Sequence, residues 1–300
     1  MPSSAPSTLR SLFAGALMGT AEVIPGVSGG TMALIAGVYE AIVGALSSLV
    51  SFGLALLRGR VRRAVVHWRT VPWALLGPLL AGMAGMIVLG ARLIPPLMTA
   101  YPAHTRALFF GLVAASLLIP ALRIQRLTPL RAGIAVAFAV GAFLLTGLPV
   151  LETGDPSPLR IFLSAAVAIC AMILPGVSGA FLLEAMGLYT PTLEALNTLA
   201  WGYVLTFGTG AAVGLGAFAK LLDWLLAARH DATMAALVGL IAGALRALWP
   251  YGGAERTLRG PEAGEPILSV LGLALLGLAL VGGLLWWQRR TAVRTPSSVG

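Results

Sequence analysis

The pentapeptide Pro-Gly-Val-Ser-Gly stands twice in this chain, at residues 25–29 and 175–179, each time in the middle of a long apolar stretch. Proline offers no backbone N–H to a helix and glycine tolerates nearly any backbone angle, so each copy is expected to break a membrane helix and leave polar backbone at depth. Irregular backbone inside a bilayer persists only where protein buries it or where it lines a cavity. Two such breaks therefore point to one polar site assembled from two halves.

Composition sets the medium. Of 300 residues, 58% are hydrophobic and 10% charged, and the mean hydropathy is +0.92, the profile of a polytopic all-α membrane protein. The net charge of +9 resembles a nucleic-acid footprint, but the arginines sit in short loops between apolar spans, which fits the positive-inside rule and no nucleic-acid partner. Cys170 is the single cysteine, leaving no intramolecular disulfide and no cysteine-built metal site. No Walker loop, dinucleotide fingerprint or paired-histidine metal motif occurs, so neither a cofactor nor a catalytic residue is assigned. The apolar stretch after the first ten residues carries Glu22 and lacks a small-residue cleavage site, so a removed signal peptide is not expected.

The duplication extends beyond the pentapeptide. Shifted by 150 residues, Leu9-Arg10 falls on Leu159-Arg160, Gly37 on Gly187 and Tyr39 on Tyr189; shifted by 128, Trp73 falls on Trp201, Gly82 on Gly210, Arg92 on Lys220 and Gly111 on Gly239. The 22-residue difference reads as an insertion in the first half, placed at the basic region 58–69. The 15 residues from Arg10 to Ile24 would make about 22 Å of helix, short of the roughly 30 Å hydrocarbon core. Each motif is thus read as a re-entrant helical hairpin, over 10–39 and 160–189. Full spans are expected at 71–94, 105–121 and 132–150 in a first repeat (1–150), and at 201–227, 233–249 and 267–287 in a second (151–300). Residues 41–57 either span or lie at the interface. Three crossings per half would invert the second repeat relative to the first. With both termini in the cytoplasm, Arg10, the arginines of 58–69, Arg123, Arg126, Arg131, Arg229, Arg289, Arg290 and Arg294 all fall on that side, as the charge rule demands.

At the tip of such a hairpin the returning half-helix begins near Gly29 or Gly179, and its free amides and positive dipole end attract an anion. Ser28, Ser178 and Thr31 add hydroxyls, although serines there also cap the half-helices. Arg92 and Lys220, equivalent in the two repeats, offer a cation at each mouth; their alternative is snorkelling to the interface, with Lys220 paired to Asp223. Glu22 and Glu184 are the carboxylates nearest the breaks. They are candidates for coupling to H⁺ or Na⁺, or for structural pairing with the freed amides. A soluble-anion carrier and an intramembrane lipid-phosphate enzyme remain open on these residues alone, the latter weakened because His67, His104 and His230 fall in loops or at their edges.

The blocks Met18-Gly19-Thr20-Ala21-Glu22-Val23-Ile24-Pro25-Gly26-Val27-Ser28-Gly29-Gly30-Thr31 and Ala171-Met172-Ile173-Leu174-Pro175-Gly176-Val177-Ser178-Gly179 resemble the two signature motifs of the bacterial polyprenyl-phosphate translocase family of the PopT type. Phe109-Phe110-Gly111-Leu112 and Leu248-Trp249-Pro250 resemble further landmarks in the same order, and the resemblance covers nearly the whole chain. It implies a multi-pass protein of the bacterial plasma membrane that returns undecaprenyl phosphate, or a related polyprenyl phosphate, to the cytoplasmic leaflet after cell-envelope polymer synthesis, including peptidoglycan. Carried over by position, the substrate-binding motif residues are Glu22, Pro25, Gly26, Val27, Ser28, Gly29, Gly30 and Thr31, then Pro175, Gly176, Val177, Ser178 and Gly179. Ala180 departs from the hydroxyl residue expected after the second motif, so the second hairpin is expected to contribute fewer donors.

Overall fold

A computed structural model describes residues 8–23, 28–148, 156–176, 178–252 and 257–293. Within them the chain is helical apart from one isolated bridge between Gly252 and Leu258. The first half runs α1 (Thr8–Val23), α2 (Gly29–Ala36), α3 (Tyr39–Leu57), α4 (Val61–Thr70), α5 (Trp73–Ala100), α6 (Pro102–Ser116), α7 (Leu118–Arg123) and α8 (Pro129–Leu145). The second runs α9 (Pro158–Ile173), α10 (Gly179–Ala185), α11 (Tyr189–Asn197), α12 (Trp201–Ala228), α13 (His230–Ala244), a 3₁₀ turn at Leu245–Leu248 and α14 (Ile267–Val293).

The helix breaks at the two motifs are real, and the flanking helices fold back. Arg10, near the start of α1, donates to the carbonyl of Ala36 at the end of α2 (3.2 Å), while Glu22, at the far end of α1, lies against Gly29 at the start of α2. The two helices are therefore antiparallel neighbours. Arg160 makes the matching bond to the carbonyl of Met186 beyond α10. In each copy a serine caps the returning helix, Ser28 accepting from the Gly30 N–H and Ser178 from the Phe181 N–H. Gly37 and Gly187 then end the arms at φ +71° and +69°, a conformation that glycine adopts without penalty.

Four helix pairs carry most of the packing, α1 with α5, α9 with α12, α6 with α14 and α8 with α13. Glycines let their backbones touch. A Cβ on Gly15 or Gly19 would meet the carbonyl of Leu79 or Met83, and one on Gly210 or Gly214 that of Phe162 or Ala166. Likewise Gly111 sits on Ala274, Gly277 on Leu108, Gly239 on Ala135 and Gly243 on Ala139. In the first, second and fourth pairs the contact positions rise together along both chains, so these helices run parallel; small residues at such crossings replace the hydrophobic drive that lipid does not supply. One buried apolar cluster includes Met32 and Leu34 of α2 and Leu237 and Ile241 of α13.

By length and composition five described helices could cross a membrane: Tyr39–Leu57, Trp73–Gly90, Pro102–Arg123, Trp201–Ala228 and His230–Leu248. The chain is a multi-pass membrane protein. Segment 41–57, left open above, lies in a single 19-residue helix, α3. Its counterpart α11 has only nine residues, so the extra length of the first half is the last ten residues of α3 together with the loop and α4, a longer stretch than 58–69 alone. Other ends shift: α5 runs past residue 94 to Ala100 through Pro95 and Pro96, α8 stops at Leu145, and the span expected at 233–249 tightens to a 3₁₀ turn after Ala244.

Candidate functional site

The two breaks meet. Ser28 Oγ donates to the carbonyl of Leu174 (2.9 Å), and Thr31 Oγ1 accepts the backbone N–H of Gly176 (3.0 Å). Ser28 is 3% exposed and Thr31 fully buried, so both bonds are shielded from solvent. Gly30 fits against the second motif so closely that a Cβ there would stand 2.8 Å from the carbonyl oxygen of Ile173 and 3.2 Å from the Pro175 nitrogen. Gly176, at φ +87°, is in turn pressed against the backbone of Ile241 in α13. Pro175 is among the fully buried residues.

The first amides of α2 are all in use. Glu22 takes the Gly29 N–H, the Ser28 hydroxyl takes the Gly30 N–H, and the Ser28 carbonyl takes the Thr31 N–H at 3.0 Å. A carboxylate thus sits where the helix dipole and free amides favour negative charge. Two of the hydroxyls offered to an anion by sequence reasoning, those of Ser28 and Thr31, are engaged between the two motifs in this arrangement.

The junction is asymmetric. Thr31 is replaced in the second copy by Phe181 and Gly30 by Ala180, which is exposed. Ser178 only caps α10, accepting from Phe181 at 3.4 Å. Gly179 packs on the carbonyl of Ala168. The first motif supplies side chains and the second supplies backbone, and this accounts for the departure noted at Ala180.

Pro25, Gly26, Val27 and Val177 lie outside the described residues. Glu184 is on the exposed face of α10, away from the junction's buried bonds. Arg92 and Lys220 are exposed on α5 and α12. Lys220 turns its ammonium to the Ser51 hydroxyl of α3 instead of pairing with Asp223. Sequence reasoning missed the Thr31–Gly176 bond and the arginine bonds to Ala36 and Met186. The Leu-Arg pair repeated at 9–10 and 159–160 was a signal for the latter.

Within the membrane region two further arginines are held by the fold. Arg106 donates to the carbonyl of Gly252 (3.3 Å), and Arg246 donates to that of Phe143 (3.2 Å) with its guanidinium 4.5 Å from the Phe143 ring centre.

The VCA0040-like family, described as undecaprenyl phosphate translocase-like, matches residues 18–264, which include both motifs. The chain belongs to this family. A polyprenyl-phosphate transporter of Vibrio cholerae serotype O1 is 35% identical over 244 residues, covering 81% of this chain and 78% of that protein. A polyprenyl-phosphate transporter of Staphylococcus aureus is 26% identical over 260 residues, covering 80% and 85%. No solved structure matches the chain significantly. Family and relatives are transporters by name, and a role in polyprenyl-phosphate transport follows for this member.

Proposed function

We propose that this protein is a flippase of the bacterial inner membrane, moving undecaprenyl phosphate or a related polyprenyl phosphate from the outer to the cytoplasmic leaflet, so that the lipid carrier is reused in cell-envelope synthesis, peptidoglycan included. The observation that carries the mechanism is the meeting of the two broken hairpins, with Glu22 on the α2 amide terminus.

Moving a bare phosphate through hydrocarbon is prohibitive, whereas amide and hydroxyl donors replace much of its hydration. The head group takes the place that Glu22 holds at Gly29, while the Ser28 and Thr31 bonds to the second motif open to admit it. The prenyl tail stays in lipid throughout. Displacement of the Glu22 carboxylate by a phosphate is electrostatically even-handed if the carboxylate takes up a proton or a sodium ion as it leaves, which makes Glu22 the coupling residue and leaves Glu184 an accessory one. Arg92 and Lys220 gather the head group at the two mouths.

Two inverted repeats, 1–150 and 151–300, would provide the alternation. Support comes from the matched contacts: Gly82 on Leu12 and Gly210 on Phe162 are the same crossing in the two halves. Helix α5 turns back into α6, and α12 into α13, across one residue each; with α1 parallel to α5, α9 to α12 and α8 to α13, this order supports entry of α1 and α9 from opposite sides. One half rocking on the other then exposes the junction to each leaflet in turn. The same order supports both termini lying on one side, and the arginine distribution favours the cytoplasmic side for them.

The test is a proteoliposome assay of polyprenyl-phosphate sidedness with Ser28→Ala, Glu22→Gln and Arg92→Ala. Each is expected to slow transfer, Glu22→Gln also removing its dependence on a pH or sodium gradient. Undiminished movement in all three would refute the site.

A further inference from the structure

A second basic feature lies away from the junction. Helices α3, α4 and α12 and the α3–α4 turn form a half-open cavity of about 320 Å³ lined by Ser51, Leu54, Ala55, Arg58, Arg60, Arg63, His67 and Lys220. Four of these eight residues are permanent cations, a fifth is histidine, and none is a carboxylate. The walls hold these cations together: Lys220 bonds Ser51 at the end of one wall, and α4 packs along α3 to present the others.

The surroundings of the cavity are greasy. Leu54, Leu57, Val61 and Val65 are exposed beside it, at 42%, 86%, 61% and 44%. Phe52, Trp68 and Trp73 form a chain of ring contacts 5.1 and 4.4 Å apart across α3, α4 and the start of α5. An amphipathic helix with arginines and an outward tryptophan is built to lie at a membrane surface. Charge at the centre and apolar side chains at the rim match a head group with a hydrocarbon tail.

The cavity also breaks the internal repetition of the fold. The residue equivalent to Lys220 is Arg92, but the second half has the nine-residue α11 in place of α3 and passes to Trp201 with no helix corresponding to α4. We propose that this cavity binds a phosphate head group, through Lys220 and the arginines of the α3–α4 turn, at one face of the molecule and with no counterpart at the other. Binding rests on the cavity alone; its use as a one-sided station on the transport path rests on the translocase reading above.

The experiment measures equilibrium binding to the full-length protein in uncharged detergent, where no transport occurs, using decaprenyl phosphate, phosphatidylglycerol and inorganic phosphate as separate probes. Arg63→Gln with Lys220→Gln, which keep the aliphatic stems, should weaken binding by about tenfold or more, the effect of losing charge-assisted hydrogen bonds. Arg62→Gln with Arg69→Gln, which remove the same charge from α4 outside the cavity lining, should change it less than about twofold. A lower half-saturation for either lipid than for inorganic phosphate assigns the site to a lipid phosphate, and the reverse order assigns it to the free ion. Equal losses in the two double variants, or none in either, overturn the proposal. Proteoliposome transfer by Arg63→Gln with Lys220→Gln separates the two hypotheses: lost binding with wild-type transfer keeps the cavity as a phosphate site and removes it from the transport path. A melting temperature for each variant ensures that only folded protein is compared.

Discussion

Gly30→Ala tests the contact between the two motifs most directly. A Cβ at this position would stand 2.8, 3.2 and 3.3 Å from Ile173 O, Pro175 N and Leu174 C, all backbone atoms that cannot rotate away. Restoring ordinary contact means separating the motifs by about 0.5 Å. That stretches the Ser28–Leu174 and Thr31–Gly176 bonds, now 2.9 and 3.0 Å, to the limit of useful hydrogen bonding. At about 1 kcal/mol for each buried bond, offset by up to about 1 kcal/mol from the better helix propensity of alanine, the net loss is about 1 kcal/mol or somewhat more. The junction's closed arrangement should then be disfavoured by roughly five- to tenfold. Ala180→Gly is the matched control, since Ala180 occupies the equivalent place in the second copy and is exposed. The assay is the rate at which polyprenyl phosphate inside proteoliposomes becomes accessible to an external phosphatase, with thermal unfolding in detergent alongside. Gly30→Ala should lower both rate and midpoint, and Ala180→Gly should leave the rate within about twofold. Wild-type transfer and stability in Gly30→Ala, or a larger loss in Ala180→Gly, would refute the reasoning.

Gly111→Val places a branched side chain on the Ala274 carbonyl and should prevent α6 and α14 from closing; size-exclusion profiles would show aggregated protein, whereas Gly133→Val, with open space at its Cβ, should remain monodisperse. On the loop before α14, Arg259 and then the Glu262 N–H hold the Glu265 carboxyl below its usual range. A depressed folded-state value means that the pair stabilises above the unfolded carboxylate range and loses that contribution as pH falls through the folded value, so Glu265→Gln should flatten the acid side of the thermal-stability profile, and an unchanged profile would remove the pair's role.

The helical membrane class was legible because long apolar runs with few charges leave the chain few alternatives, and the helix breaks were legible because Pro25 and Pro175 with their glycines cannot continue a helix. Partner choice was hidden. In lipid the protein-facing and lipid-facing sides of a helix are both apolar, so the periodicity of α6 says nothing about its taking α14, and only the glycine seam at Gly111 and Gly277 marks the face. The Thr31 bond escaped notice for a different reason: its acceptor role depends on a backbone amide 145 residues away, and the position equivalent to Thr31 in the second copy, Phe181, carries no hydroxyl. The arginines of 58–69 were legible as orienting charge but not as cavity walls, since Ser51 and Lys220, 169 residues apart, have to be brought together first.

The crosswise pairing of α6 with α14 and of α8 with α13 has a consequence for biogenesis. The first half leaves the ribosome with α6 and α8 still lacking mates that belong to the second half, and the notching glycines of these crossings lie on α6, α13 and α14. The notch on α6 stays bare to lipid until α14 has been synthesised and inserted, so closure of this seam waits on that helix. A chain cut short before α14 would expose a backbone seam that invites association with other unfinished chains, which makes α14 a checkpoint on assembly.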